Sequence, residues 1–399
     1  MIFSLVIPAY NEENGIADII RRTLQAKAAI LAVDGINELE VIVVNDGSKD
    51  HTAEVVASFK EVRLIQHSSN RGYGAALKTG FESASGHLIG FLDADGTYPP
   101  EFFPKLIKSL LAEKADMAIG SRMMGARSGM PVTRYIGNRL FAWLLSWIVG
   151  KKITDTASGL RVFRKEALNQ LYPLPDGLDL TPAMSTKAIH EKLKIIETPM
   201  PYAERVGRSK LSVVKDGVRF FNTIVGIARL YNPLKFFGIL GAILILLGVI
   251  LAMGPVTHYL RFRRVEDYEV YRLFTIMVLW VTGINVISFG AFCNSLLGVI
   301  HGKPVHTQSA WSTYIFRPPI MRNLDKVGYV LIAVAIALNH KTIIEYVTTR
   351  QIDVHWSYIF TGATLFLVGV QLAMTSFLLK VVEELRGVKN ARVTLRKAS

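Results

Sequence analysis

Asp93 and Asp95 are the residues whose type and spacing most clearly suggest chemistry. They lie in F-L-D-A-D-G (91–96), at the end of a short apolar run. Two carboxylates one residue apart can share a hard divalent cation, Mg2+ or Mn2+, which keeps part of its water shell and binds substrate phosphates. Such a cation neutralises charge that develops on a phosphate leaving group. The same residues also make a good aspartate-rich turn, so the pair alone does not choose between turn and metal. Two further polar clusters follow apolar runs, P-A-Y-N-E-E (8–13) and N-D-G-S-K-D (45–50). No G-x-G-x-x-G follows the first run and no P-loop is present, which argues against dinucleotide binding and P-loop ATP hydrolysis.

Strands must hold these clusters in place. Residues 4–7, 40–44, 62–66, 88–93 and 117–120 read as strands, with helices expected over 14–28, 52–59, 75–85 and 101–111. The alternation implies a Rossmann-like α/β domain with a mostly parallel sheet. Ligands of such sheets bind beyond the carboxyl ends of the strands, where the three polar clusters fall.

The remainder of the chain is different. Of 399 residues, 50% are hydrophobic and 20% are charged, and the mean hydropathy is +0.31. That excludes a disordered chain and suggests a water-soluble part joined to a bilayer part. Residues 236–257, 273–300 and 356–379 carry no charge. At ~1.5 Å per residue each exceeds the roughly 20 residues needed to cross a bilayer. A fourth span is expected at about 327–345, with Lys341 near an interface. The predicted organisation is a catalytic domain over 1–212, an amphipathic basic helix over 213–231 at the membrane surface, a helical transmembrane domain over 232–382 and a basic tail over 383–399.

Charge and cysteine content narrow the partners. The formal net charge is +14, which calls for anionic ones. With four spans, the side carrying residues 215–235, 301–326 and the tail has more than twice the Lys and Arg of the other, so the catalytic domain and C-terminus are expected in the cytoplasm. The first residues read as a strand and not as a signal peptide. The basic clusters sit beside the spans, which favours lipid over nucleic acid. Cys293 is the sole cysteine, so an internal disulfide and a cysteine zinc site are excluded. A homo-oligomer through the spans is among the expected partners. Trp143 and Trp147 suit either a core or a short helix dipping toward lipid.

Seven motifs occur in order: V-I-P-A-Y-N-E-E (6–13), V-V-N-D-G-S-K-D (43–50), N-R-G-Y-G-A-A-L (70–77), F-L-D-A-D-G-T-Y-P-P-E (91–101), G-S-R (120–122), D-T-A-S-G-L-R-V-F (155–163) and E-R-V-G-R-S-K-L-S (204–212). Over about residues 3–250 the set resembles family 2 glycosyltransferases of the GT-A fold, more narrowly the polyprenyl-phosphate hexosyltransferases, the group of dolichol-phosphate mannose synthase and undecaprenyl-phosphate glucosyltransferases. The resemblance implies a nucleoside pocket at Pro8, Tyr10 and Glu12, with Asp46 on the base or ribose. Asp93 and Asp95 become the metal pair, with Asp95 the direct ligand. Arg122, Arg134, Ser158, Arg205 and Lys210 are implied to face phosphates, chiefly that of the acceptor, and Asp155 to sit near the transferred sugar. Asp95, Asp155 and Arg122 form the implied catalytic set. Asn45 departs from the first Asp common in the family, while Asp46 is kept.

The implied reaction is inverting transfer of one hexose from a UDP- or GDP-linked sugar to dolichyl or undecaprenyl phosphate at the cytoplasmic face. A phosphate monoester, with a second pKa near ~6, is largely dianionic at neutral pH and needs no general base. Asp155 is then a positioning group. Two rivals remain. A processive polysaccharide synthase normally shows Q-x-x-R-W, absent here, and a T-E-D base where this chain has Ile153-Thr154-Asp155. A lipid-linked sugar flippase with a vestigial transferase domain is disfavoured by the intact Asp46, Asp93 and Asp95.

Overall fold

The computed structural model describes residues 1–124, 130, 132–149, 152–201, 213–262, 266–300, 318–352 and 354–398. The chain divides into two compact units, Met1–Ala228 and Arg229–Ser399.

The first unit is built on one seven-stranded sheet. Its strands are β1 (Ile2–Ala9), β2 (Glu38–Asn45), β3 (Val62–Gln66), β4 (Leu88–Phe91), β5 (Met117–Ser121), β6 (Arg161–Arg164) and β7 (Ile195–Pro199), in the order β3-β2-β1-β4-β6-β5-β7. β1 pairs in parallel with β2 and β4, β2 with β3, and β5 with β7. β6 runs antiparallel between β4 and β5. This is the mostly parallel, Rossmann-like sheet expected from the strand pattern. β1 is a continuous apolar run because both faces are covered: Leu5 and Ile7 enter one core and Val6 the other. The second core is centred on Phe81, whose ring lies 5.7 Å from Phe91 and 5.2 Å from Phe163. Full burial of one such side chain contributes roughly 1.5–3 kcal/mol.

The helices of this unit are α1 (Ile16–Gln25), α2 (Lys27–Leu31), α3 (Thr52–Ala57), α4 (Tyr73–Ser83), α5 (Phe103–Ala112), α6 (Val132–Val149), α7 (Leu168–Leu171) and α8 (Leu180–His190), and α9 (Val213–Tyr231) begins in it. α9 covers the residues over which an amphipathic helix was expected. Its apolar side includes Phe220 and Ile224, both buried, and Ile224 joins the Phe81 core. Val218 and Phe221 are exposed.

The second unit contains α10 (Pro233–Phe262), α11 (Val270–Ile300), α12 (Pro318–Thr349) and α13 (Trp356–Ala398). Among the described residues, these account for four helices long and apolar enough to cross a membrane. Leu246, Ile250 and Met253 are exposed on α10, as on a helix facing lipid. α10 and α11 approach closely where a Cβ on Gly241 would stand 2.5 Å from the Gly283 carbonyl oxygen. α12 and α13 repeat that crossing, where a Cβ on Gly328 would stand 2.6 Å from the Gly369 carbonyl oxygen. Small residues permit such approach in apolar surroundings. Lys341 is exposed about two turns before the end of α12 and lies 3.7 Å from Glu345.

Candidate active site

A cavity of about 530 Å3 opens beyond the carboxyl ends of β1, β2, β4 and β5, and α6 forms one wall. Its lining falls into two halves, ordered by the strand order of the sheet.

The first half comes from β1, β2 and β4. Pro8, Tyr10 and Glu12 line the cavity, as does Asp46 just past β2. Asp46 is buried and its carboxylate also holds the neighbouring loop. Oδ1 accepts from His67 Nδ1 at 2.7 Å and the Arg71 amide at 2.9 Å, and Oδ2 from the Gly72 amide at 2.8 Å. Asn45 Oδ1 accepts from the Ser48 amide at 3.1 Å. An asparagine forms that turn as an aspartate would, so the departure at this position leaves the loop intact. The Glu12 amide donates to Thr52 Oγ1 at 2.8 Å, which fastens the loop after β1 to the start of α3.

Asp93 and Asp95 lie in the turn after β4, and both line the cavity. The Tyr73 hydroxyl donates to Asp93 Oδ1 at 2.7 Å. Burial first, and then the Asp93 carboxylate, push the Tyr73 phenol well above its ordinary pKa, so it stays a donor. Asp95 Oδ1 accepts from the Thr97 hydroxyl at 2.6 Å and the Thr97 amide at 3.1 Å. Two hard carboxylates on one short turn of a cavity wall are a donor set suited to a divalent cation that completes its shell with water and phosphate oxygens. Among the described residues no group of three or more His, Cys, Asp or Glu could hold a metal.

The second half comes from β5, the loop before β6, and α6. Arg122 lines the cavity and forms a bidentate pair with Asp155: Nε to Oδ2 and Nη2 to Oδ1, each 2.7 Å. The Arg122 amide adds a third bond to Oδ2 at 3.1 Å. Asn138 Nδ2 and the Ala157 amide donate to Oδ1 at 2.9 and 3.2 Å. Burial alone would raise the Asp155 pKa, but the Arg122 guanidinium prevails and holds it below the usual carboxylate range. Glu197 on β7 accepts from the Thr154 and Asp155 amides, both at 2.9 Å. Burial pushes the Glu197 carboxyl upward despite these bonds. The guanidinium of Arg122 also lies 5.8 Å from the Tyr98 ring centroid, a cation–π contact. Arg134 lines the same wall from α6.

Two expected contacts take other positions. Asp155 is fully buried and outside the cavity lining, and it fixes Arg122. Ser158 is also fully buried and outside the lining, its hydroxyl donating to the Gly120 carbonyl at 2.6 Å. That bond holds the loop before β6 to the end of β5. Arg205 and Lys210 lie outside the described residues.

Other site residues were not singled out from sequence. Arg161 is fully buried, donating from Nε to the Ser158 carbonyl at 3.0 Å and from Nη2 to the Thr156 carbonyl at 2.8 Å. Burial lowers its pKa to about 10, which leaves it charged at neutral pH. A Cβ on Gly159 would overlap Asp93 Oδ2 and stand 2.7 Å from its Cγ, so only glycine lets the loop back against the carboxylate. The Gly159 amide donates to the Tyr98 hydroxyl at 2.8 Å. Helical spacing from Arg134 would have pointed to Asn138, one turn on and on the same wall.

Residues 4–172 match the model of Glycosyl transferase family 2. By that match residues 4–172 carry a family 2 glycosyltransferase domain. Residues 233–392 match a domain of unknown function, DUF8752. The low-salt glycan biosynthesis hexosyltransferase Agl6 of Haloferax volcanii is 34% identical over 219 residues, 54% of this chain and 51% of that one. The undecaprenyl-phosphate 4-deoxy-4-formamido-L-arabinose transferase of Photorhabdus laumondii is 27% identical over 327 residues, 80% of this chain and 94% of its own. The dolichyl-phosphate hexose transferase of Haloferax volcanii is 28% identical over 225 residues, 56% of this chain and 92% of its own. The chain thus spans about half the length of the first relative and more than nine-tenths of the other two.

Proposed function

We propose that this protein transfers a single hexose, with inversion, from a UDP- or GDP-linked sugar to polyprenyl phosphate at the cytoplasmic membrane face. The observation that carries the reading is the division of the cavity: Asp93 and Asp95 on one side, Arg122 and Arg134 on the other. The reaction needs a place for a diphosphate with its cation and a place for a second, lipid-borne phosphate. The names of two relatives, which specify undecaprenyl and dolichyl phosphate, support the acceptor class. So do the four apolar helices. On α6, Ile136, Leu140, Trp143 and Trp147 are exposed along the side away from the cavity, as suits a helix against a bilayer surface.

Each residue has a defined task in this mechanism. Pro8, Tyr10, Glu12 and Asp46 line the nucleoside end. Asp93 and Asp95 would hold Mg2+ or Mn2+, which when bound neutralises charge on the departing nucleotide diphosphate. Asp155 holds Arg122 in one orientation, and Arg122 with Arg134 presents positive charge to the acceptor phosphate. A phosphate oxygen of the lipid attacks the anomeric carbon, forming the new C–O bond. The bond from that carbon to the donor's phosphate oxygen breaks, and the nucleotide diphosphate leaves with the electron pair. The dianionic nucleophile has no proton to lose, so alignment and charge stabilisation supply the catalysis.

The test uses purified full-length protein in lipid nanodiscs with Mn2+, undecaprenyl or dolichyl phosphate, and a panel of labelled UDP- and GDP-sugars. One donor should yield a labelled, organic-extractable product that mild acid cleaves. Label appearing only in a long water-soluble polymer would favour a processive synthase. No label from any donor would refute transfer.

A further inference from the structure

The membrane-length helices repeat a pattern of sequence. On α10, G-A-I-L-I-L-L-G-V-I-L (241–251) matches G-Y-V-L-I-A-V-A-I-A-L (328–338) on α12: Gly241, Leu244, Ile245 and Leu251 correspond to Gly328, Leu331, Ile332 and Leu338. On α11, F-T-I-M-V-L-W-V-T-G-I-N (274–285) matches F-T-G-A-T-L-F-L-V-G-V-Q (360–371) on α13, with Phe274, Thr275, Leu279 and Gly283 corresponding to Phe360, Thr361, Leu365 and Gly369. Leucine and isoleucine recur in any apolar helix, so the glycines and the Phe-Thr pairs carry the comparison.

The packing repeats with the sequence. A Cβ on Gly283 would stand 2.7 Å from Ile245 Cγ1 and 2.9 Å from the Gly241 carbonyl oxygen. A Cβ on Gly369 would stand 2.8 Å from Ile332 Cγ1 and 2.7 Å from the Gly328 carbonyl oxygen. Each glycine meets the counterparts of the groups that the other meets, so α10–α11 and α12–α13 are built as two copies of one helical hairpin.

The copies also meet in a defined way. α10 packs on α11, α12 packs on α13, and the hairpins join chiefly through α11 and α13. Phe274 and Phe360 are each the fifth residue of their helix, and their rings meet edge to face with centroids 6.1 Å apart. A residue that touches its own counterpart marks a twofold axis, as at the centre of an isologous dimer. Parallel repeats related by an axis along the membrane normal are a known way to build membrane domains. The symmetry has one visible break: Trp356 Nε1 donates to Asp267 at 3.0 Å, while Val270, which stands first in α11 as Trp356 does in α13, has no such donor.

We propose that α12 and α13 take, within one chain, the place that a second copy of the first hairpin would take on α11. The anchor is then a closed pseudo-dimer. A twofold interface is self-complementary, so once it is filled inside the chain no equal surface remains to recruit another. The outer helices expose apolar side chains suited to lipid, Leu246 and Ile250 on α10 and Val330 and Val334 on α12. The full-length protein is therefore a monomer in the membrane, whatever sugar it transfers.

The test uses full-length protein carrying Cys293→Ala, which removes the sole cysteine, in phospholipid vesicles. Phe274→Cys and Phe360→Cys are placed together in one chain, or singly in two differently tagged chains that are co-expressed. A short bis-methanethiosulfonate reagent should bridge the two thiols of the doubly substituted chain, read by mass spectrometry as one bridged reagent per chain without covalent dimer. The co-expressed single variants should give no mixed dimer. A mixed dimer, or failure to bridge within the doubly substituted chain, overturns the proposal. Because these substitutions trim the contact itself, the chain with both phenylalanines intact gives a second reading. Single-molecule photobleaching of a fluorophore on its C-terminus, at low protein-to-lipid ratio, should show one step per particle; two steps overturn the proposal. Gly283→Ala and Gly369→Ala test the likeness of the hairpins. Each drives a methyl against the same neighbours, so the two melting temperatures should fall by amounts within about 2 °C of each other. A fall in only one of them overturns the equivalence on which the pseudo-dimer rests.

Discussion

The two halves of the cavity are held by opposite means. On the β1–β2–β4 side, functional side chains project from strand ends, and the surrounding loops are pinned largely by backbone amides, as Asp46 pins the loop before α4. On the β5–β6 side, a buried network of Asp155, Arg122, Asn138 and Glu197 supports the wall, and only part of it reaches the cavity. The first half presents carboxylates to whatever binds. The second consumes its carboxylates internally and presents positive charge. The proposed reaction, which places a cation-bound diphosphate beside a lipid-borne phosphate, calls for this asymmetry.

Breaking the first half should have the largest effect. Asp95→Ala is expected to lower turnover about 10³-fold, near 4 kcal/mol of transition-state stabilisation, with circular dichroism and melting unchanged. Unchanged turnover would remove the metal assignment. In the second half the damage should appear in stability. Asp155→Ala strands a guanidinium whose side chain is 11% exposed. Removing one partner of such a buried pair costs about 3 kcal/mol or more, readable as a lowered melting temperature together with reduced turnover. Equal melting of the two proteins would contradict the network's role.

Smaller changes sharpen the contrast. Gly159→Ala drives a methyl into Asp93, and a displacement near 1 Å can cost about 10²-fold in turnover without unfolding the protein. Mn2+ affinity should fall with it, which titration calorimetry would read. Ser158→Ala should cost only about 1 kcal/mol, the value of one buried hydrogen bond, and leave KM for polyprenyl phosphate unaltered. A raised acceptor KM would return Ser158 to the phosphate site. The mildest perturbation is pH. Asp155 has a folded pKa below its ordinary 3.8, so its stabilisation is complete above that value and is lost as pH falls through the folded pKa. The melting gap between wild type and Asp155→Ala should stay constant from about pH 7 to about pH 5 and narrow only under stronger acid.

The first half was legible because central parallel strands are continuous apolar runs ending in polar turns, and β1, β2 and β3 lie where that pattern puts them. The four membrane-length helices were legible for the related reason that long uncharged runs are rare elsewhere. The second half was less legible. β6 is four residues, R-V-F-R, whose arginines suggest a solvent edge, yet Arg161 pairs centrally with Phe91 and Ile119. α8 is buried from Leu180 to Ile189 and so has no periodic apolar face to read. The residue types at Asp155 and Ser158 suit a sugar and a phosphate, but no pattern in the sequence shows that Arg122 and the Gly120 carbonyl already occupy them.

The most direct measurement is steady-state kinetics of Asp95→Ala and Arg134→Ala with both substrates varied. The account predicts that Arg134→Ala raises KM for polyprenyl phosphate at least about tenfold, near 1.4 kcal/mol, while KM for the nucleotide sugar stays within about twofold. Asp95→Ala should instead collapse turnover and weaken Mn2+-dependent nucleotide binding. A rise in nucleotide-sugar KM alone on removing Arg134, or loss of acceptor affinity alone on removing Asp95, would contradict the division of the cavity between two phosphates.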